Sequence, residues 1–430
     1  MSVSATAPLM SPVRRYWRDR ALWTTIADVF AILAAFSLPW STTLPAIFVP
    51  LWLGAVAWVM DWRAYGALLK QPICYLPLAL VGLALVGTVW SDAVWGARLY
   101  AVSPTLKLLV LPGLFYHFER SSRGMWVFVA FLVSCALLMV VSWLVAMDPS
   151  FTLKSSSEPG GRGIFVKNYI DQSQEFALCA VALAYPIIRL LQTNRVWQAL
   201  VLVAISLGFI VNMAFVIVSR TAMVTIPIML AVFALLHLKW RTSVMIFGVL
   251  AVMAGLAWGT SPQLQTTLDT FSRDYRLYKT ENVPTSIGIR LEFWKKSLQF
   301  FAGAPVIGHG TGSTRGLFER AATGDTYSAT SQVIGNPHNQ TLNVAVQWGG
   351  TGIVLLYGMW LVHLLLFRGD GLVAWIGLLV VVQNIFTSLF NSHIFDFHEG
   401  WMYVLGVGVA GGMTLAARQR NARAERAGSS

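Results

Sequence analysis

Charged residues are scarce in this chain: they make up 12% of its 430 residues, whereas 56% are hydrophobic. A soluble domain carries about 25% charged residues, so the shortage excludes a string of soluble domains. Cysteines are also few, and all three lie within apolar runs: Cys74, Cys135 and Cys179. Disulfides and thiolate metal sites are therefore not expected in any redox compartment. No short apolar stretch with a small-residue cleavage site follows the N-terminus, so we expect an uncleaved first span rather than a signal peptide.

What the chain has instead is a series of apolar runs long enough to cross a bilayer, which takes about 20 residues each. Hydropathy predicts twelve spans, at 22–40, 43–60, 73–91, 99–117, 124–146, 172–190, 196–218, 221–238, 242–260, 339–366, 372–391 and 400–417. The predicted fold is therefore an all-α polytopic membrane protein with one helical bundle.

The placement of basic residues predicts the orientation. They concentrate at both termini and in every alternate loop, which is typical of the cytoplasmic face. An even number of spans then puts both termini in the cytoplasm. Topology thus explains much of the net charge of +12, and scattered loop ends provide no continuous basic footprint for nucleic acid. We expect membrane lipids around the chain and no nucleic acid partner.

Two loops on the opposite, outer face are substantial, at about 147–171 and 261–338. The second is too long for a simple connector, so we expect any chemistry on the outer face. The predicted organisation has nine spans in 1–260, the large outer loop in 261–338, three spans in 339–417 and a basic cytoplasmic tail in 418–430.

Two outer arginines are candidates for binding phosphate. Arg220 lies in the tight turn VIVSRTAMV, where a basic residue runs against the expected orientation, and Arg290 begins the stretch RLEFWKKSLQFF. That stretch has apolar residues at helical spacing and predicts an amphipathic helix on the outer membrane surface. A guanidinium offers a planar fork that fits phosphate oxygens. The alternatives are an arginine that extends to lipid headgroups at 220 and an interfacial anchor at 290.

Lys107 is a candidate because it lies inside the fourth predicted span. A buried ammonium is costly in lipid and is a functional candidate by default. We expect Glu175, near the outer start of the sixth span, to be its partner. Structural pairing and substrate contact both remain open for it.

The turn GHGTGS at 308–313 contains closely spaced glycines. No strand precedes it and no βαβ unit surrounds it, so we reject a nucleotide-binding loop. The sequence favours a flexible turn whose backbone amides could meet an anion.

His338 has the most informative context of the seven histidines. Asn336 is a good N-cap and Pro337 fits the first helical position, which would place His338 in the first turn of the tenth span. The partial positive charge of a helix N-terminus favours a neutral imidazole that can accept a proton. Small residues below it, including Gly349 and Gly352, would let helices approach closely. The alternative is a histidine that only binds water.

Three further histidines, His309, His393 and His398, lie on the outer face. Their spacings match no familiar ligand pattern, so no metal site is expected. In NSHIFDFHEGW, Asp396 could orient His338 or an acceptor hydroxyl, or be a solvated loop charge.

Three motifs, taken in order, resemble the O-antigen ligase and polymerase superfamily. They are SRTA, IRLEFWKKSLQFFAGAPVIGHGTGS and PHNQTLNVAVQWGGTGIVLL, within residues 205–360. The resemblance implies a glycosyltransferase-C-like helical fold with a large periplasmic loop, in the bacterial inner membrane. It implies a glycan donor on undecaprenyl diphosphate and, for a ligase, a sugar hydroxyl of lipid A–core as acceptor.

The resemblance also implies roles for individual residues. Arg220 and Arg290 would bind the donor diphosphate, and His338 would act as the base in an inverting transfer that needs no metal or other cofactor. Residues proposed to support them are Asn339, Asp396, Lys107 and Arg162.

Several functions remain alternatives. The short basic tail weighs against a protein O-oligosaccharyltransferase, and a single dominant outer loop weighs against an O-antigen polymerase, so a ligase is favoured. A transporter or flippase for a lipid-linked glycan is the alternative from another class, and it would show paired charges near the membrane midplane and broken helices.

Overall fold

The computed structural model describes residues 19–153, 163–217, 219–260 and 262–428. Every regular element in these residues is a helix, which confirms the predicted all-α class. The first nine helices are α1 Arg20–Ser37, α2 Thr43–Val59, α3 Trp62–Leu69, α4 Pro72–Val86, α5 Trp95–Val102, α6 Leu111–Arg120, α7 Gly124–Met147, α8 Tyr169–Ala182 and α9 Ala184–Gln192. The next nine are α10 Val196–Phe215, α11 Arg220–His237, α12 Trp240–Thr260, α13 Pro262–Glu281, α14 Ser286–Gly303, α15 Thr314–Arg320, α16 Gln340–Leu366, α17 Leu372–Thr387 and α18 Phe397–Gly428. Short 3-10 helices occupy Ser103–Val110, Pro149–Phe151 and Ala329–Ser331.

Seven helical stretches in the described part of the chain are long and apolar enough to cross a membrane, or eight if the bent pair α2 and α3 forms one span. Two of the seven, Trp95–Arg120 and Tyr169–Gln192, combine adjacent helices. Three shorter apolar helices cover Pro72–Val86, Val224–His237 and Leu372–Thr387. Each of the twelve predicted ranges overlaps one or more helices, although the ranges 73–91 and 372–391 extend past the helix ends at Val86 and Thr387. The chain is therefore a multi-pass membrane protein, and the number of twelve spans stays a prediction.

Glycines bring α18 close to α6 in the core. A Cβ at Gly408 would lie 2.5 Å from Leu114 Cβ, and one at Gly411 would lie 2.2 Å from Phe115 Cε1. Such contacts are shorter than atoms tolerate, so only glycine allows this helix spacing. The close packing brings the start of α18 against the 3-10 helix Ser103–Val110, which carries Lys107.

Helix α16 is broken at Gly349, which has φ 61°. Gly349 was predicted to belong to a stripe of small residues that lets helices approach, whereas the structure shows non-helical backbone at this position. A Cβ there would lie 2.5 Å from the backbone of Val306. Glycine is needed for the positive φ and for the close approach of a second chain segment.

That segment is the turn 305–313, which we call the glycine turn. The amide of His309 donates to Val346 O at 2.9 Å, and that of Gly310 donates to Gln347 O at 2.9 Å. The amide of Gly312 donates to the Gln347 side chain at 2.9 Å. The break in α16 frees carbonyls, and these amides satisfy them. The glycine turn is a packed clamp, so the expectation of a flexible, anion-binding turn was wrong.

Candidate active site

The backbone around His338 is not helical, in contrast to the sequence-based expectation. Helix α16 begins at Gln340, and its N-cap is Asn339, whose side chain accepts from the Leu342 amide at 3.0 Å. Asn336 instead accepts from the amide of His338 at 3.1 Å. His338 has φ 53°, a left-handed conformation that is uncommon for a non-glycine residue. The prediction of Asn336 as N-cap was wrong because a second asparagine, three residues later, caps the helix.

A second segment, 388–396, lies between α17 and α18 and holds the start of α16; we call it the outer connector. The amide of Gln340 donates to Ser388 O at 2.9 Å, and Asn339 Nδ2 donates to Leu389 O at 3.1 Å. The Ile394 amide donates to Gln340 Oε1 at 3.0 Å. These bonds fix His338 against the outer connector. The structure therefore gives Asn339 two contacts, a cap and a bond to the connector.

The imidazole of His338 meets the outer connector through one ring nitrogen. His338 Nδ1 lies 2.9 Å from Asn391 Oδ1. Burial lowers the pKa of His338, the bond to Asn391 partly opposes this, and the nearby Arg290 charge lowers the pKa further. A neutral imidazole is thus favoured, as the sequence predicted, but burial is the main cause here rather than a helix N-terminus.

Arg290 and His338 come together in the structure, although 48 positions separate their numbers in the sequence. Arg290 lies on α14, is half-buried, and is close enough for its charge to lower the pKa of His338. Helix α14 packs against α16. One turn after Arg290, Phe293 is buried, and its ring centroid lies 6.4 Å from that of His338. A cation and a neutral base therefore share one half-buried site.

The structure describes the two remaining arginine candidates only in part or not at all. Arg220 is the first residue of α11, directly after the N-cap Ser219, and its side chain lies outside the described part. Arg162 lies outside the described residues. Their predicted roles therefore stay predictions.

Lys107 contacts the outer connector and not Glu175. Its Nζ donates to Phe395 O at 3.4 Å and also to Asp396 O. Glu175 pairs with Lys167 Nζ at 2.8 Å instead. The expected Lys107–Glu175 pair was wrong, since a closer lysine, eight positions before Glu175, takes that carboxylate. Lys107 instead holds the backbone that carries Asp396.

Asp396 lies in a group of three side chains at the end of the outer connector. His393 Nδ1 is 3.3 Å from Asp396 Oδ2 and 3.6 Å from Glu399 Oε1. The three groups are close enough to hold a metal ion. Burial opposes a charge on His393, but Glu399 and then Asp396 outweigh it and raise the pKa of His393 to about 9. The protonated ring is therefore favoured at neutral pH.

Asn391 is the residue of the site that sequence reasoning missed. It accepts from His338 and donates through Nδ2 to Asp396 Oδ2 at 2.7 Å. It therefore connects the candidate carboxylate to the candidate base. The sequence NSHIFDFHEG gave one indication, a polar residue beside the acidic and histidine cluster, but no periodicity links residues 338 and 391.

Comparison with known families covers part of the site. Residues 205–357 match the family model described as O-antigen ligase. The matched range contains Arg220, Arg290, His338 and Asn339, and it confirms the family resemblance of the motifs. Lys107, Asp396 and Asn391 lie outside the matched range. A search of curated proteins found no match.

Proposed function

We propose that this protein is an O-antigen ligase. Its residues 205–357 match the O-antigen ligase family model, and that family consists of membrane glycosyltransferases that act on lipid-linked glycans. The protein transfers the O-antigen glycan from undecaprenyl diphosphate to a sugar hydroxyl of lipid A–core. The reaction takes place at the periplasmic face of the bacterial inner membrane, with both termini in the cytoplasm. One observation carries the proposal: within that domain, burial and the charge of the nearby Arg290 lower the pKa of His338, so the neutral ring is favoured beside a cation.

The chemistry follows from these two groups. His338 accepts the proton of the acceptor hydroxyl while the hydroxyl oxygen attacks the anomeric carbon of the donor sugar. The bond between that carbon and the phosphate oxygen breaks, and undecaprenyl diphosphate leaves with the electron pair. Attack from the opposite face inverts the anomeric centre. The proton ends on His338, which returns it to solvent.

The leaving diphosphate gains negative charge as the bond breaks. Fixed cationic donors that face developing charge are a large catalytic contribution in a site that excludes water. Arg290 is half-buried beside the base, so it supplies one such donor, and Arg220 supplies a second. This chemistry requires no metal.

The supporting residues act by holding the base. Asn339 caps α16 and bonds the outer connector. Lys107 donates to the backbone carbonyl of Asp396. These contacts support a fixed position for His338 relative to the membrane surface, where the lipid-linked donor presents its sugar.

The test is a transfer assay with purified protein in detergent and a donor of undecaprenyl diphosphate carrying several O-units. Lipid A–core and a second lipid-linked O-unit are offered as separate acceptors. A ligase transfers the glycan to lipid A–core. Transfer only to the second O-unit would make the protein a polymerase and overturn the proposal.

The same assay separates transfer from transport. In detergent no membrane divides two compartments, so any product requires a glycosyltransferase. Absence of product with either acceptor, together with movement of the lipid-linked glycan across proteoliposomes, would favour the flippase alternative.

A further inference from the structure

We infer that Asn391 is a positioning residue that selects the tautomer of His338: its amide, oriented by Asp396, keeps the proton on Nδ1 and leaves Nε2 to receive the proton of the acceptor hydroxyl. This inference rests on the proposed function, and it names a residue outside the matched ligase domain. It concerns the Nδ1 face of the ring, which the outer connector covers.

The direction of each hydrogen bond follows from the chemistry of the groups. Asn391 Nδ2 lies 2.7 Å from Asp396 Oδ2, and an ionised carboxylate can only accept, so the NH₂ group of the amide faces Asp396. The amide oxygen therefore faces His338 Nδ1 at 2.9 Å. A carbonyl oxygen also only accepts, so Nδ1 must carry the hydrogen. In a neutral ring, Nε2 then has the free lone pair.

The carboxylate that orients the amide is itself held in place. Lys107, a buried residue, donates to the carbonyl of Asp396. His393 lies 3.3 Å from the Asp396 carboxylate. Ser392, next to Asn391, donates to Asn336 Oδ1 at 2.7 Å, two residues before His338. The two segments are thus bonded on both sides of the Asn391–His338 contact, so the amide cannot easily turn away.

An amide has an advantage over a carboxylate at position 391. Both accept the Nδ1 hydrogen, but a carboxylate would also stabilise the imidazolium and raise the pKa of the ring. The amide fixes the tautomer without adding charge. The base then stays neutral and able to accept a proton, which fits a half-buried ring beside Arg290.

The direct test observes the tautomer and needs no substrate. The full-length protein is labelled with ¹⁵N-histidine, and long-range ¹H–¹⁵N correlations report which nitrogen carries hydrogen. The His338→Gln variant assigns the His338 signals among the seven histidines. We expect the neutral Nδ1–H form in the wild type and a shift towards Nε2–H in Asn391→Leu.

Asp396→Asn tests the orientation step. With an amide at 396, Asn391 can rotate and present its NH₂ to His338, which forces the hydrogen to Nε2. The matched controls are Gln299→Leu and Asp325→Asn, two exposed residues, and both should leave the His338 signals in place. A wild type in the Nε2–H form, or unchanged His338 signals in both Asn391→Leu and Asp396→Asn, overturns the inference.

Kinetics provide the second readout. Asn391→Leu should lower kcat about 10- to 100-fold, the range found when the partners that orient metal-ligating histidines are removed, with little change in the donor KM. The double variant Asn391→Asp/Asp396→Asn avoids two carboxylates 2.7 Å apart; it should keep the Nδ1–H tautomer and move the acidic limb of the pH profile to higher pH. The other charged or titratable groups that face the ring, Arg290 and His393, are unchanged in this variant. A profile that does not move would contradict the role of the neutral amide.

Failure of the proposed function is a separate result. If His338→Gln transfers glycan at the wild-type rate, His338 is not the base, and the proposed mechanism fails. The tautomer measurement still decides the structural inference in that case. If Asn391→Leu does not fold, Asp396→Asn and the double variant Asn391→Asp/Asp396→Asn, which change few atoms, still give both readouts.

Discussion

Two segments contact α16, and they use their polar groups in opposite ways. The glycine turn, 305–313, has three glycines with positive φ, and its backbone amides donate hydrogen bonds to groups at the break in α16. The outer connector, 388–396, contributes side chains, and these bond to His338 and to each other. The first segment closes a break in a helix, and the second positions a base.

The difference shows that the glycine turn, which is the more conspicuous motif, is not the segment that contacts the candidate base. Glycine spacing at 308–313 attracts attention because it resembles anion-binding loops. Every amide that such a loop would offer between His309 and Gly312 already has an acceptor. The connector has no recognisable motif, yet its Asn391 and Asp396 reach the candidate base. Changes in the connector side of the site should thus affect rate, and changes in the glycine turn should affect stability.

The largest expected effect is on the rate, from His338→Gln. Glutamine keeps a polar side chain of similar reach but cannot accept the proton as imidazole does. Loss of a general base typically costs about 10²- to 10⁴-fold, so we expect kcat for transfer to lipid A–core to fall in that range. Donor binding and the melting temperature should change little. A fall in the melting temperature that accounts for the lost activity would show that His338 stabilises the fold and does not act as the base.

Arg290 should have the next largest effect. Removing one donor that stabilises developing charge costs roughly 10²- to 10³-fold, so Arg290→Gln should lower kcat by about that factor. Arg290→Lys keeps the charge without the planar fork and should lose less. Lys295→Gln, on the exposed side of α14, is the matched control. Equal losses from the changes at 290 and 295 would indicate a general surface charge effect.

The sequence was enough to predict the helices and that His338 lies at the edge of a span, but not the cap of that helix or the left-handed backbone of His338. Apolar runs of fixed length have few alternatives to helices in lipid, so a helix overlaps every predicted range. His338 followed from its place at the edge of a span. Arg290 followed from the motif order, and its proximity to His338 agrees with that order.

The partners of these residues could not be predicted, because they depend on packing between distant segments. Lys107 meets the carbonyl of Asp396, 289 positions away, and no pattern in the sequence encodes a bond to a backbone carbonyl. Glu175 forms an ion pair with Lys167, which is close to it in the sequence, and therefore does not pair with Lys107 as the span positions suggested. Gly349 looked like one small residue among several, whereas only the incoming glycine turn shows why its φ is positive.

Gly308→Ala tests whether the glycine turn stabilises the fold. A Cβ at Gly308 would lie 2.4 Å from the backbone of Gln347, and the residue has φ 67°. Strained backbone of this kind costs about 1–3 kcal/mol, so we expect a lower melting temperature in detergent. Molecules that remain folded should keep a normal kcat. Gly335→Ala is the control, since a Cβ there meets nothing within 4 Å. Equal destabilisation by both variants would contradict the conclusion that the glycine turn stabilises the break in α16.

The pH dependence of stability should show a smaller effect from the outer connector. The pKa of His393 is raised to about 9 from a usual value of 6.5. A raised pKa means that protonation stabilises the folded state, fully below the unfolded value and progressively less as pH rises through the folded value. We expect the melting temperature to fall between about pH 6.5 and 9, and His393→Gln to flatten that fall. A decline of the same size in the variant would assign it to another group.

The smallest expected effect is that of chelation, which should leave transfer unchanged. His393, Asp396 and Glu399 are close enough to hold a metal ion, but a metal needs the unprotonated ring. Because Glu399 and Asp396 raise the pKa of His393 to about 9, a metal ion would have to compete with the ring proton at pH 7. In the proposed mechanism, arginines stabilise the charge on the leaving diphosphate. Activity that disappears after exhaustive EDTA treatment and returns with a divalent ion would make the outer connector a metal site instead of a hydrogen-bonded support for His338.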